Sequence, residues 1–190
     1  MTVKRFVRDF EIDKRSDYTI IDIIRVLFIL SEGPMGRIRL INELDMGEAT
    51  VKTIIKRLGK EGLLTDSTKG QVLTESGKVI ASSISRKMSV FREFRIPLFS
   101  KKICDLFIVR SSEKRVGMGI EQRDEGMKAG ADIVTLVYDG LNVKFPKTGE
   151  KVELPDDNLN LKKGDVLIFS SGKERVVRER GGIAAALTLF

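Results

Sequence analysis

Between Ala49 and Lys60 the sequence ATVKTIIKRLGK carries four cations, Lys52, Lys56, Arg57 and Lys60, and no acidic residue. Lysine and arginine neutralise phosphates and reach guanine edges, while threonine contacts phosphate or a thymine methyl. Val51, Ile54, Ile55 and Leu58 recur at helical spacing, so a helix over about 48–61 turns them inward and leaves Thr50, Lys52, Thr53, Lys56, Arg57 and Lys60 outward. Such a face fits the major groove of duplex DNA. Alone, it is also what an ordinary solvated helix presents, so the neighbouring elements must decide.

Those neighbours form an ordered set. Ile38, Ile41 and Leu44 predict a first helix and Asp45-Met46-Gly47 a tight turn before the basic helix, which ends near Gly62. Short strand-like runs, Leu63 to Thr65 and Gln71 to Thr74, flank a polar loop ending in Gly70, giving a hairpin with a wing at 65–72. Helix, turn, helix and hairpin describe a winged helix-turn-helix, and Arg37 and Lys69 join the residues expected at DNA. Upstream, Thr19 and Asp22 have capping-box spacing, and the run to Leu30 is apolar enough to be buried on more than one side. Residues 1–16 read as a polar arm, either docked through Phe6, Val7 and Phe10 or touching DNA. After the wing, Thr74 or Ser76 caps a helix expected to reach about Phe94, with Val79, Ile80, Ile84, Met88 and Phe91 on one stripe. Arg95-Ile96-Pro97 breaks it, which sets domains at 1–95 and 96–190.

The second half alternates strands and helices. Strands are expected at Ile103 to Val109, Ile133 to Tyr138 and Asp165 to Phe169, with Asp139-Gly140 turning a hairpin into Asn142 to Phe145. A helix covers Gly119 to Ala129, and a polar loop runs through Pro155 to Asn158. A last helix starts near Lys173, is interrupted at Gly181-Gly182, and lies close on a sheet through Ala184 to Ala186. The fold class is therefore α+β, a winged helix-turn-helix followed by a small α+β layer for which a ferredoxin-like arrangement is one candidate. Two clusters there could hold a ligand. Gln122, Arg123 and Asp124, beside Glu121 at a helix start, offer a guanidinium for a carboxylate or phosphate, although a charged first turn is the commoner explanation. Ser170 and Ser171, before Gly172, could present backbone N–H groups to an anion, although such a turn is more often a helix cap.

Composition bounds the functions. The 42% hydrophobic and 32% charged content is that of a soluble globular chain able to bury a core. No apolar run approaches a membrane span and the first residues lack a secretory pattern, so a cytoplasmic protein without membrane contact is expected. One cysteine, Cys104, precludes an internal disulfide, and without histidine the common zinc and haem sites lack ligands. No histidine base, GxSxG or singular carboxylate pair is present, so the chain is read as a non-enzyme with no cofactor and no assigned metal ligands, carboxylate sites for magnesium or calcium being left open. The net charge of +7 suits a polyanion; residues 1–95 hold 18 Lys+Arg against 13 Asp+Glu, and residues 96–190 hold 16 against 14. That places the excess in the half with the basic helix.

The run GPMGRIRLINELDMGEATVKTIIKRLGKEGLL, followed by LTESG, resembles the winged-helix half of an archaeal family described as transcriptional regulators. GIEQRDEGMKAGAD and KKGDVLIFSSG resemble its C-terminal α+β domain, whose function is uncharacterised. The resemblance implies a regulator architecture and supplies no effector. The expectation is a DNA-binding transcriptional regulator, a homodimer that pairs its basic helices on double-stranded DNA, with the second domain sensing a small molecule or holding the dimer. The alternatives are a winged-helix module that docks on transcription machinery without touching DNA, and an enzyme with a site around Arg123.

Overall fold

The computed structural model describes residues 3–13, 15–96, 98, 103–155 and 159–190. Pro97, and the expected polar loop at 156–158, lie outside the described residues. The chain is mixed α+β and divides into two compact units, Met1–Ser85 and Arg86–Phe190. The first is helical with one hairpin; the second is built on an antiparallel sheet.

In the first unit, α1 (Val3–Asp9) begins the chain and α2 (Ile20–Ser31) is its centre. Ile23, Ile24, Val26 and Leu27 are fully buried, each worth about 2 kcal/mol in area removed from water. The Asp22 carboxylate accepts the Thr19 backbone N–H at 2.9 Å, so the expected start is the observed one. Asp22 and Arg25 are themselves buried, 3.6 Å apart, and Arg25 donates to the Leu44 carbonyl at 2.9 Å. That carbonyl ends α3 (Arg37–Leu44), which a turn with Asp45 at φ 51° separates from α4 (Glu48–Lys60). On α3 the inward pair is Leu40 and Leu44; Ile38, expected on the stripe, is 76% exposed because it lies two residues, or about 200°, around the helix from Leu40. The hairpin of β1 (Leu64–Ser67) and β2 (Gly70–Leu73) follows, in the register Leu64 to Leu73 and Ser67 to Gly70. Met35 and Gln71 exchange backbone hydrogen bonds at 2.9 and 3.0 Å, adding a bridge at the hairpin's side.

The polar arm expected at 1–16 is partly the helix α1. Val3 and Phe6 are buried, and the rings of Phe6 and Phe10 lie 5.3 Å apart. Docking is thus the alternative realised for these apolar residues.

A second difference concerns α5 (Glu75–Lys87), expected to continue to Phe94. Residues Met88–Phe94 instead form β3, antiparallel to β4 (Cys104–Val109). The run MSVFREF offers aromatic and β-branched side chains to a neighbouring strand, and pairing overrides its weaker helical period. Between Phe91 and Phe94 the register shifts, with Glu93 at φ 56°, and the Glu93 N–H goes to the Asp105 carboxylate at 3.1 Å. Because this ladder belongs to the sheet, the division falls after Ser85 rather than after Arg95.

The sheet of the second unit has the order β3-β4-β7-β5-β6, with β5 (Asp132–Tyr138), β6 (Val143–Lys144) and β7 (Val166–Ser171). One face, from Cys104, Leu106, Ile108, Leu136, Leu167 and Phe169, is covered by Ile96, Val143 and Leu159. The other meets α6 (Ile120–Lys128) and α7 (Arg175–Leu187). The interruption expected at Gly181-Gly182 does not occur: α7 runs straight through. A Cβ on Gly182 would collide with the Phe107 ring, and one on Gly181 with Ala131, so both glycines let the helix approach the sheet.

Candidate functional site

Val51, Ile54 and Leu58 of α4 are fully buried, which fixes the helix against its unit and sets which residues look out. Lys52, Thr53, Lys56 and Lys60 are exposed and Thr50 is half-buried. Lys56 and Lys60 have no ion-pair partner among the described residues. Lys52 pairs with Glu48 at 2.9 Å, and Arg37 reaches the same carboxylate at 3.7 Å. The Lys52 hydrogen bond and charge hold the Glu48 carboxyl below its usual range. Glu48, one residue before the acid-free stretch, therefore offsets part of the positive field at the start of α4. The Thr53 hydroxyl donates to the Ala49 carbonyl at 2.9 Å, one turn back. Lys69 is exposed at the hairpin tip, where the Ser67 hydroxyl donates to the Gly70 carbonyl at 2.7 Å and accepts the Lys69 N–H at 3.2 Å.

Arg57 departs from the expected outward set. Its guanidinium lies over the Phe10 ring at 5.4 Å and pairs with Glu61 at 2.9 Å, leaving the side chain 30% exposed. The cause is the segment after α1, which brings an aromatic ring against the last turns of α4; nothing local to the helix signals it. The charge is also distributed differently between the structural units than between the expected halves. Residues 1–85 hold 14 Lys+Arg against 12 Asp+Glu, and residues 86–190 hold 20 against 15, so the excess is +2 and +5. Arg86, Lys87, Arg92 and Arg95 all belong to the second unit, and the basic character of the first resides in α4 and its surroundings.

The two ligand clusters expected in the second unit fare differently. Gln122 is fully buried and donates to the Thr188 hydroxyl at 2.7 Å, so it faces the interior. Arg123 and Asp124 are exposed and bonded to each other at 3.2 and 3.3 Å, the local pairing of a charged first turn. Ser170 and Ser171 do not form a turn at a helix start. They end β7, are 0% and 1% exposed, and α7 begins only at Arg175. An anion has no access to them, because the strand extends two residues past the expected Phe169 to pair with Asp105 and Cys104. The sequence gives no sign that Arg123 borders a cleft with Thr135 and Lys147, which only the folded sheet brings near. Among the described residues no three His, Cys, Asp or Glu side chains are grouped to hold a metal, and no helix is long and apolar enough to cross a membrane.

The comparisons with known proteins follow this division of the chain. Residues 19–79 match the PH0730-like N-terminal domain, and residues 101–189 match a domain of unknown function, DUF4443. Each match covers less than half of the chain, and the C-terminal one is to a domain whose function is uncharacterised. Among solved structures, the hypothetical protein PH0730 from Pyrococcus horikoshii OT3 superposes with a TM-score of 0.75 at 23% identity, over 91% of this chain and 93% of that one. At that identity the likeness is one of fold. No curated protein matches.

Proposed function

We propose that the chain is a DNA-binding transcriptional regulator whose first unit is a winged helix-turn-helix. The observation that carries this reading is the open side of α4, where Lys52, Lys56 and Lys60 are exposed while Val51, Ile54 and Leu58 at 0% exposure hold the helix rigid. The order α3, turn, α4, β1, β2 supports it, as does the Met35 bridge to Gln71, which places a third extended segment beside the wing. Lys69 at the wing tip and Arg37 at the start of α3 add flanking cations suited to phosphate. In the second unit the order β4-β7-β5, with α6 crossing from β4 to β5 and β3 beside β4, supports the reading of a ferredoxin-like core. On this reading it joins two copies or receives a small effector.

The test is selection of genomic fragments by the full-length protein, followed by fluorescence anisotropy on the recovered duplex. Enrichment of a common site, bound more weakly as salt rises, is the expected result. Absence of duplex binding even at low ionic strength would overturn the proposal. The competing reading, docking on another protein, draws on Ile38, which puts an apolar side chain into solvent beside α4. Salt-insensitive association with a protein, lost in Ile38→Ser, would favour it.

A further inference from the structure

In the second unit a cleft of about 360 Å³ opens between the first turn of α6, the outer edge of β5 and the segment that follows β6. Its walls are largely apolar, with Met118 and Ile120 on one side and Ile133 and Phe145 on the other; Arg123 and Lys147 bring cations to the rim, and Glu150 a carboxylate. Met118 is 52% and Ile120 45% exposed, so the apolar surface is unpaired.

Two observations point to a ligand. The first is the register of β5. Tyr138 donates its N–H to Asp165 and accepts at its carbonyl from Gly164, both on the β7 side. Alternation along an antiparallel strand turns the backbone groups of Thr135 and Ile133 to the opposite edge, where β6 pairs only with Val137 and Tyr138. That edge borders the cleft. The second is Thr135 itself: it is 7% exposed, and its hydroxyl is buried with no hydrogen-bond partner among the described residues. A hydroxyl in that state destabilises the fold, and a valine of the same shape would not. The hydroxyl lies beneath Gly119, 3.8 Å from where a Cβ on that glycine would stand, and Gly119 at φ 79° is the N-cap of α6. Among the described residues no side chain caps that helix, so its first-turn N–H groups, the positive end of its dipole and the Thr135 hydroxyl share one end of the cleft.

We propose that this cleft binds a small monocarboxylate with a compact apolar body. The carboxylate accepts from the first-turn amides of α6 and from the Thr135 hydroxyl; Lys147 and Arg123, the latter turning from Asp124, supply countercharge. The apolar part lies on Ile120, Ile133 and Phe145. The volume falls at the small end of the range of about 300–1,000 Å³ common for ligand sites. The proposal does not depend on DNA binding, since it is read on the protein alone.

The experiment titrates the ¹⁵N-labelled full-length protein with sodium hexanoate, and in parallel with neutral hexanamide and with hexylammonium chloride. Hexanoate should shift the amides of Gly119, Ile120, Glu121, Ile133 and Thr135 saturably, with hexanamide at least about tenfold weaker, the loss expected for a charge-assisted contact. Thr135→Val should weaken hexanoate several-fold while raising Tm, and the surface variant Lys147→Ala should weaken it with Tm unchanged. Shifts absent or spread over other surfaces, equal binding of hexanamide, hexylammonium binding in place of hexanoate, or undiminished affinity in both variants would each overturn the proposal.

Discussion

Lys56 and Arg57 are adjacent in sequence and occupy different environments. Lys56 stands in solvent on α4, whereas the Arg57 guanidinium is spent on the Phe10 ring and Glu61. The double variant Lys56→Ala, Lys60→Ala should lose about tenfold or more in duplex affinity, as removal of two phosphate contacts does, with Tm unchanged, measured by anisotropy and thermal melting. Arg57→Ala should lower stability by about 0.5–1 kcal/mol through loss of the ring contact, and leave the salt dependence of binding where it was. The reverse pattern would make Arg57 the reader and the segment after α1 a displaceable cover. The periodicity of Val51, Ile54 and Leu58 was legible because a helix of known pitch determines it. The Arg57 environment was not, since its partner Phe10 comes from a segment with no periodic signal.

Glycine shows how the same residue means opposite things in two helices. Gly59 in α4 is exposed with open space around it, so Gly59→Ala should stabilise the chain by about 0.5–1 kcal/mol, the cost of glycine in a helix interior. Gly182 in α7 lies against Phe107, and Gly182→Ala should destabilise by about 1–3 kcal/mol or more through overpacking. Urea midpoints of the two variants against the parent check both signs. The turn between β5 and β6 gives a pH signature. The N–H groups of Asn142 and Leu141, then Lys144, hold the Asp139 carboxyl far below its ordinary range. A lowered folded value stabilises above the unfolded carboxylate range of about 4 and is lost as pH falls toward the folded value. Asp139→Asn should therefore be less stable than the parent at pH 7, with a gap that shrinks below about pH 4; a gap constant down to pH 2 would rule the carboxylate out. Most elements were readable from period and turn chemistry, including Asp139-Gly140 and the start of α2 at Thr19. The exceptions, β3 and the unbroken α7, are fixed by ladder partners and by contact with a sheet, which no local window contains.

Over the whole molecule, net charge is a weaker guide than its placement. With +2 on residues 1–85, duplex affinity on the proposed reading has to come from a few local contacts, Arg37, Lys52, Lys56, Lys60 and Lys69, rather than from a general positive field. If those five neutralise phosphates, log affinity against log salt should have a slope of about −4 to −5 per chain bound, doubled for a symmetric pair, measured by anisotropy over a KCl series. A slope near zero would remove the phosphate contacts from the account. At this scale the sequence conveyed the order of α and β segments and the presence of two units, but their division at Ser85 depends on which strand β3 joins.

The reach of Arg25 to the carbonyl of Leu44 has a dynamic corollary. A single guanidinium, itself paired inside the protein with Asp22, closes the C-terminal end of α3 from the side of α2. Fraying at that end of α3 takes the Leu44 carbonyl away from a buried donor on α2. Amide hydrogens of the two helices should then exchange with deuterium at a common, slow rate set by one concerted opening, while β1 and β2 exchange on their own faster schedule.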